Sequence, residues 1–124
     1  MSVNRYATQA GKKFERDLMV FLRERGYETE RLRLAGAEDE GDLVVLSDDG
    51  KRRFVIEAKR EKGFHLAGWV KEAQAERLNY AKHRGIAGSN PRFPGFVVVH
   101  HARGKNIGES YVTMTLNEFL GMCL

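Results

Sequence analysis

Two short apolar runs, Leu43-Val44-Val45-Leu46 and Phe54-Val55-Ile56, set the tightest limit on how this chain can fold. Between them lies Ser47-Asp48-Asp49-Gly50, with a turn-forming residue at every position and glycine last, so the runs read as two strands joined by a turn. Both are too uniformly apolar for a ribbon with one face in water, which places them inside a sheet covered on both sides. Asp42 heads the first run, and the second delivers Glu57-Ala58-Lys59. Successive strand residues point to opposite faces, so Glu57 and Lys59 share a face, and pairing the strands sets the Asp42 carboxylate beside them.

Two carboxylates and an ammonium brought together at the end of a buried strand are costly unless something compensates for them. A hard divalent cation, Mg²⁺ or Mn²⁺, held by Asp42 and Glu57 would do so, leaving Lys59 to handle a water or an oxyanion. That combination suits hydrolysis of a phosphodiester. The alternative is a solvated ion pair on an edge strand, because a Glu-x-Lys triplet says little in a chain that is 31% charged. A third acid bears on the choice. Thr8 to Arg25 reads as a helix closed by Gly26, with Phe14, Leu18, Phe21 and Leu22 at helical spacing. Glu15 borders that buried stripe, and helix geometry leaves two readings open: a member of the acidic site, or an acid of an early turn paired with Lys12 in solvent.

The remaining elements follow in order. A strand covers about Glu28 to Leu34, then come the Asp42 and Glu57 strands, and a helix runs from Leu66 to about His83 with Trp69, Val70, Ala73, Leu78 and Ala81 as its apolar face. Phe96-Val97-Val98-Val99 is another buried strand, Tyr111-Val112 a further one, and Thr115-Leu116-Asn117-Glu118 a capping box opening a terminal helix. The fold class is therefore α/β: one mixed central sheet flanked by helices, in a single domain over residues 1–124.

These residues resemble the PD-(D/E)xK nuclease superfamily, and within it the small Holliday junction resolvases of archaea and phages. The likeness rests on Gly11-Lys12-Lys13-Phe14-Glu15-Arg16-Asp17-Leu18, on Gly41-Asp42-Leu43-Val44-Val45 and on Val55-Ile56-Glu57-Ala58-Lys59. Leu66-Ala67-Gly68-Trp69-Val70-Lys71-Glu72-Ala73 and Tyr111-Val112-Thr113-Met114-Thr115-Leu116 are similar to resolvase-like proteins of phages that infect actinobacteria. The resemblance implies a restriction-endonuclease-like core, with Glu15, Asp42 and Glu57 as metal-site acids and Lys59 as the catalytic lysine. Gly41 stands where the family carries proline. Relatives also place a Gln on the helix after the lysine; Glu72 and Gln74 both fall near that place, and at most one of them serves.

The implied activity is a metal-dependent endonuclease cutting four-way DNA junctions. The alternatives are a repair, restriction-type, flap or nicking endonuclease of the same fold, and a DNA-binding protein without catalysis. The chain carries 21 Lys and Arg against 17 acids, net charge +4, and from Arg77 through Gly108 there is no acid at all. That basic stretch, including Arg77, Lys82, Arg84, Arg92, Arg103 and Lys105, suits phosphate contacts. Lys12, Arg60, Lys62 and His65 join Arg103 and Lys105 as candidate DNA contacts. One of the adjacent His100 and His101 is expected near phosphate, and His83 is expected to have no role beyond the helix end. Two symmetric cuts call for a two-fold homodimer, and the apolar end Phe119-Leu120-Gly121-Met122-Cys123-Leu124 is either its interface or a cap on the monomer's own core. The lone Cys123 points to a reducing cytoplasm, of the host if the gene is a phage's, and no apolar run is long enough to span a membrane.

Overall fold

The computed structural model describes residues 9–32 and 38–124. In chain order the elements are α1 (Gln9–Glu24), β1 (Thr29–Arg31), β2 (Leu43–Leu46), β3 (Arg53–Lys59), α2 (Leu66–His83), β4 (Gly95–His100), a 3₁₀ turn (Ile107–Glu109), β5 (Tyr111–Thr113) and α3 (Leu116–Cys123). The five strands form one sheet in the order β1-β2-β3-β4-β5. β1, β2 and β3 pair antiparallel, β3 and β4 parallel, and β4 and β5 antiparallel. The parallel pair needs a crossover, and α2 supplies it.

Side-chain alternation divides the core between the two faces of this mixed sheet. Leu43, Ile56, Val97 and Val99 pack under Phe14 and Leu18 of α1. On the other face Phe96 and Val98 meet Trp69 and Ala73 of α2, while Val44 and Val55 meet Tyr80. β2 and β3 are thus covered on both sides, as their unbroken apolar runs require. α1 closes at Gly26, whose φ of +90° suits glycine, and Tyr27 N–H returns to the Leu22 carbonyl at 3.0 Å. The start of the expected first helix at Thr8 and the end of the expected first strand at Arg33 and Leu34 lie outside the described residues.

Two expectations need correction. Leu78, expected on the buried face of α2, is 57% exposed, whereas Glu76 and Tyr80 are buried. The buried stripe runs Trp69, Ala73, Glu76, Tyr80, steps of three and four residues, and Leu78 lies about 200° round the helix from Tyr80. The terminal helix begins as expected, Thr115 Oγ1 accepting Glu118 N–H at 3.1 Å. Its Glu118 carboxylate does not return to the cap: it accepts Phe96 N–H at 3.0 Å and the Arg77 guanidinium at 3.0 Å. Gly95 makes room for it, since a Cβ there would lie 2.7 Å from Glu118 Oε2. Glu118 is the buried residue of α3, while Leu116, Phe119, Leu120 and Leu124 remain exposed, so the apolar chain end does not cap the core.

Candidate active site

The sheet's register assembles the site. Leu43 opposes Ile56, which puts Asp42 at the end of β3 where Glu57 and Lys59 emerge. Asp42 N–H donates to the Ile56 carbonyl at 3.0 Å, and its Oδ2 accepts Ala58 N–H at 2.8 Å, so both backbone and side chain are tied to β3. Before it, Gly41 has φ +104°, and a Cβ at this position would lie 2.8 Å from Val55 Cγ1. Proline, fixed near φ −65°, could not adopt this backbone. The glycine in the family's proline place therefore marks a different approach of the chain to Asp42, as well as a change in stiffness.

Glu57 and Lys59 project from β3 toward α2 and are 3% and 6% exposed. Lys59 Nζ lies 3.0 Å from Glu57 Oε2, 2.9 Å from Glu72 Oε1 and 3.7 Å from Glu61. Glu76, one helical turn beyond Glu72, faces the same space: Glu57, Glu72 and Glu76 each bring an oxygen within 4.8 Å of the others. Glu15 reaches the site from α1 on the other side of the sheet, close enough to Asp42 for each carboxylate to act on the other's proton affinity, and lies 3.3 Å from Arg31 Nε. Glu72 therefore joins the cluster on the helix, and Gln74, two residues on, turns about 200° away from it.

Among the described residues carboxylates outnumber cations here, and their proton affinities respond. Burial, then the nearby Glu15, pushes the Asp42 pKa up to about 7. Burial likewise pushes Glu76 to about 8, and burial with the charges of Asp42 and Glu76 holds Glu57 well above the usual carboxylate range. Glu15 and Asp39 are raised as well, each chiefly by burial. Burial works to discharge Lys59, but Glu57 and Glu72 overcome it and raise its pKa above the ordinary lysine value. Without a further cation, protons must neutralise part of this cluster. Glu76 Oε1 is buried with no hydrogen-bond partner among the described residues, and each donor of the Glu57, Glu72 and Glu76 group is a carboxylate oxygen, which fits a hard divalent cation.

Sequence reasoning missed Glu76 and Asp39. The signal for Glu76 was an acid in register with Trp69, Ala73 and Tyr80, visible once the stripe is drawn through Tyr80. Asp39 accepts Gly41 N–H at 3.0 Å, and its charge acts on Glu15, Asp42 and Glu76.

The candidate DNA contacts divide into two groups. Lys12, Arg60, Lys62, His65, Arg103 and Lys105 are exposed, and the loops after β3 and β4 leave the sheet at its Lys59 end, where Lys59 pairs with His100. Half of the basic stretch is otherwise engaged. Arg77 binds Glu118 between Phe93 and Phe96, Lys82 lies 3.4 Å from Glu38, and Arg84 binds Glu40 with its guanidinium 3.7 Å from the Tyr80 ring centroid. His83 has a role after all: its ring nitrogens meet Glu38 and Glu40, tying the segment before Asp42 to the end of α2. His100 and His101 point to opposite faces; His100 is buried against Thr113 Oγ1 at 2.9 Å, and His101 meets the edge of Phe14. Of the pair, only one of which was expected near phosphate, His100 is buried and His101 part-exposed.

Comparison with known proteins bears on the family of the chain. The sequence model of the Mrr_cat family, described as restriction endonuclease, matches residues 7–93. None of the curated proteins matches the chain. Among solved structures, Hjc of Archaeoglobus fulgidus, a Holliday junction resolvase from an archaeal hyperthermophile, is similar at 22% identity and a TM-score of 0.49, over 76% of this chain and 69% of that one.

Proposed function

The chain belongs to the Mrr_cat restriction endonuclease family, and from that premise we propose that it is a divalent-metal-dependent DNA endonuclease that resolves four-way junctions as a homodimer. The observation that carries the nuclease reading is the convergence of Asp42, Glu57 and Lys59 at one end of β2 and β3, among buried acids with too few counter-charges.

Asp42 and Glu57 would hold the metal, with Glu15 completing the oxygen donors from α1 and Glu72 or Glu76 from α2. A bound Mg²⁺ or Mn²⁺ supplies Lewis-acid polarisation of the phosphodiester and acidifies a water. Lys59 keeps its proton, because Glu57 and Glu72 outweigh the effect of burial. It therefore serves as a fixed positive charge for the developing negative charge on phosphate, and not as a general base. Glu15, where it does not complete the metal's oxygen donors, is the group placed beside Asp42 to orient the attacking water. Arg60, Lys62, Arg103 and Lys105, exposed on the loops at this end of the sheet, attract the backbone on either side of the cut.

Two observations support the junction and the dimer. The motif resemblance covers both the site and the tail, and the apolar side chains of α3, which follows the edge strand β5 in the chain, lie exposed where a second copy could cover them. The family match favours a second reading, an endonuclease of linear duplex. Cleavage of a synthetic four-way junction and of linear duplex, each with and without Mg²⁺, tests all of this. Junction cleavage well above duplex cleavage and lost in EDTA is expected, with sedimentation equilibrium giving about twice 14.1 kDa. Equal cleavage of both by a monomer would favour the duplex reading. No cleavage of either would end the nuclease reading.

A further inference from the structure

The loop leaving Lys59 runs Arg60-Glu61-Lys62-Gly63-Phe64-His65 into α2 and ends in a group of rings that the chemistry above does not use. His100, the register partner of Lys59 on the neighbouring strand, lies at the centre. Its ring centroid is 5.4 Å from Phe64, 5.6 Å from Trp69 and 5.5 Å from Tyr111, and Phe64 lies 5.4 Å from Trp69. The inner rings, Trp69 and His100, are buried. The outer ones are not: Phe64, from the loop, is 65% exposed, and Tyr111, from the edge strand, 57%. Interplanar angles of 54° to 68° show that none of these contacts is a face-to-face stack.

We propose that Phe64 and Tyr111, backed by Trp69 and His100, form a platform on which an unpaired nucleobase of the bound strand stacks beside the scissile phosphate. The identity of the occupant rests on the nuclease reading, because proximity to Lys59 is what brings nucleic acid here. Neighbouring strands lie about 4.8 Å apart, so His100 is about one strand spacing from Lys59 and Tyr111 about two. A base belonging to a nucleotide whose phosphate meets Lys59 falls within that span. Exposed Arg60 and Lys62 on the same loop attract the strand's phosphates, and open aromatic faces next to basic side chains are the combination that holds single-stranded nucleic acid. A base inside a duplex has both faces covered by its neighbours. Only one freed at a gap, a flap or a branch point offers a face to Phe64 or Tyr111.

The test needs no cleavage. The full chain is titrated in EDTA with a duplex interrupted by a short single-stranded gap, carrying either 2-aminopurine or an abasic site in the gap. Quenching of 2-aminopurine and about tenfold tighter binding of the base-bearing probe are expected. Phe64→Ala and Tyr111→Ala should each reduce that preference and Phe64→Trp retain it, with thermal melts showing that the variants fold. Equal affinity for the two probes, or a preference untouched by both alanine substitutions, overturns the platform. So does a change of sedimentation mass in Phe64→Ala without a change in base preference, which would give this face to a second copy of the chain. Cleavage without base preference would remove the platform alone. Base preference without cleavage of any DNA would remove the nuclease reading and leave the platform standing.

Discussion

α2 contributes to two groups of buried charge, and they are built on opposite terms. Toward α3, Arg77 meets Glu118: both carboxylate oxygens accept the guanidinium, at 3.0 and 3.2 Å, one also accepts Phe96 N–H, and the rings of Phe93 and Phe96 flank the cation. Toward β3, Lys59 faces Glu57 and Glu72 with Glu76, Asp42 and Glu15 close by, and one carboxylate oxygen of Glu76 has no partner. Burial is common to both, and compensation is not. The first group balances one charge against one, leaving only Arg77 Nε without a partner among the described residues, and its consequence is structural. Among the described residues the second is left short of positive charge, and a site in that condition is prepared for a ligand that brings it.

The sharpest way to break this contrast is to neutralise each group in turn. Asp42→Asn or Glu57→Gln should lower junction or duplex cleavage by about 10³-fold or more, because a metal ligand or its electrostatic equivalent is lost. Neither should lower the melting temperature, since each removes a carboxylate from a crowded buried cluster. Wild-type rates in either variant would sink the site. Glu118→Ala should do the reverse: about 3 kcal/mol of stability lost in urea titrations, because the part-buried Arg77 loses its carboxylate and Phe96 N–H its acceptor, with cleavage by the folded fraction unchanged. A loss under about 1 kcal/mol would place that pair with surface ion pairs and end the comparison.

Lys59→Ala should reduce the rate by about 10²-fold, with Mg²⁺ affinity by calorimetry near that of the wild type. Loss of Mg²⁺ binding would make the lysine structural. The pH dependence separates the groups further. Asp42 carries a pKa of about 7 in the fold against 3.8 as an ordinary aspartate, so between those values the folded state binds the extra proton. Its contribution to stability is complete below about 3.8 and is lost as pH rises through about 7. Without divalent metal the melting temperature should fall from pH 5 to pH 8, less steeply in Asp42→Asn, and Mn²⁺ should restore more at pH 8 than at pH 5. An identical slope in the variant would take Asp42 out of the proton-holding cluster. The smallest effect concerns DNA. Arg103→Ala with Lys105→Ala should reduce the log–log salt slope of binding by about one per lost phosphate contact, whereas substitutions at Lys82 and Arg84, already paired with Glu38 and Glu40, should leave it nearly unchanged. The opposite ranking would move the DNA to the end of α2.

What could be read from sequence was what local pattern controls. The bounds of α2, the buried run of β4 and the order of elements follow from periodicity and turn residues. The proximity of Asp42, Glu57 and Lys59 follows from strand alternation and a short turn, while their roles remain those proposed above. Glu15 was undecided because only the crossing of α1 over the sheet brings it to Asp42. The basic stretch was misjudged for a related reason: Arg77 meets its acid 41 residues further along the chain, and a count of local charge cannot see that partner. Glu76 escaped because the apolar stripe was drawn through Leu78, which rotated the face of α2 away from the acid that it buries.

Gly41 bears on how such a site can change over generations. Its φ of +104° and the 2.8 Å between a would-be Cβ and Val55 Cγ1 exclude any ordinary side chain, and proline most of all. The family's proline version of this motif and the glycine version here are therefore not neighbours in mutational space. A single codon change at position 41 moves the chain off one backbone solution without reaching the other, and Asp42, the next residue, shifts with it. Passage between them requires the turn from Asp39 to Asp42 to be relaid together with its contacts to Val55 and Asn79. Lineages with the two versions should differ throughout this turn, and position 41 should be among the slowest to vary within either.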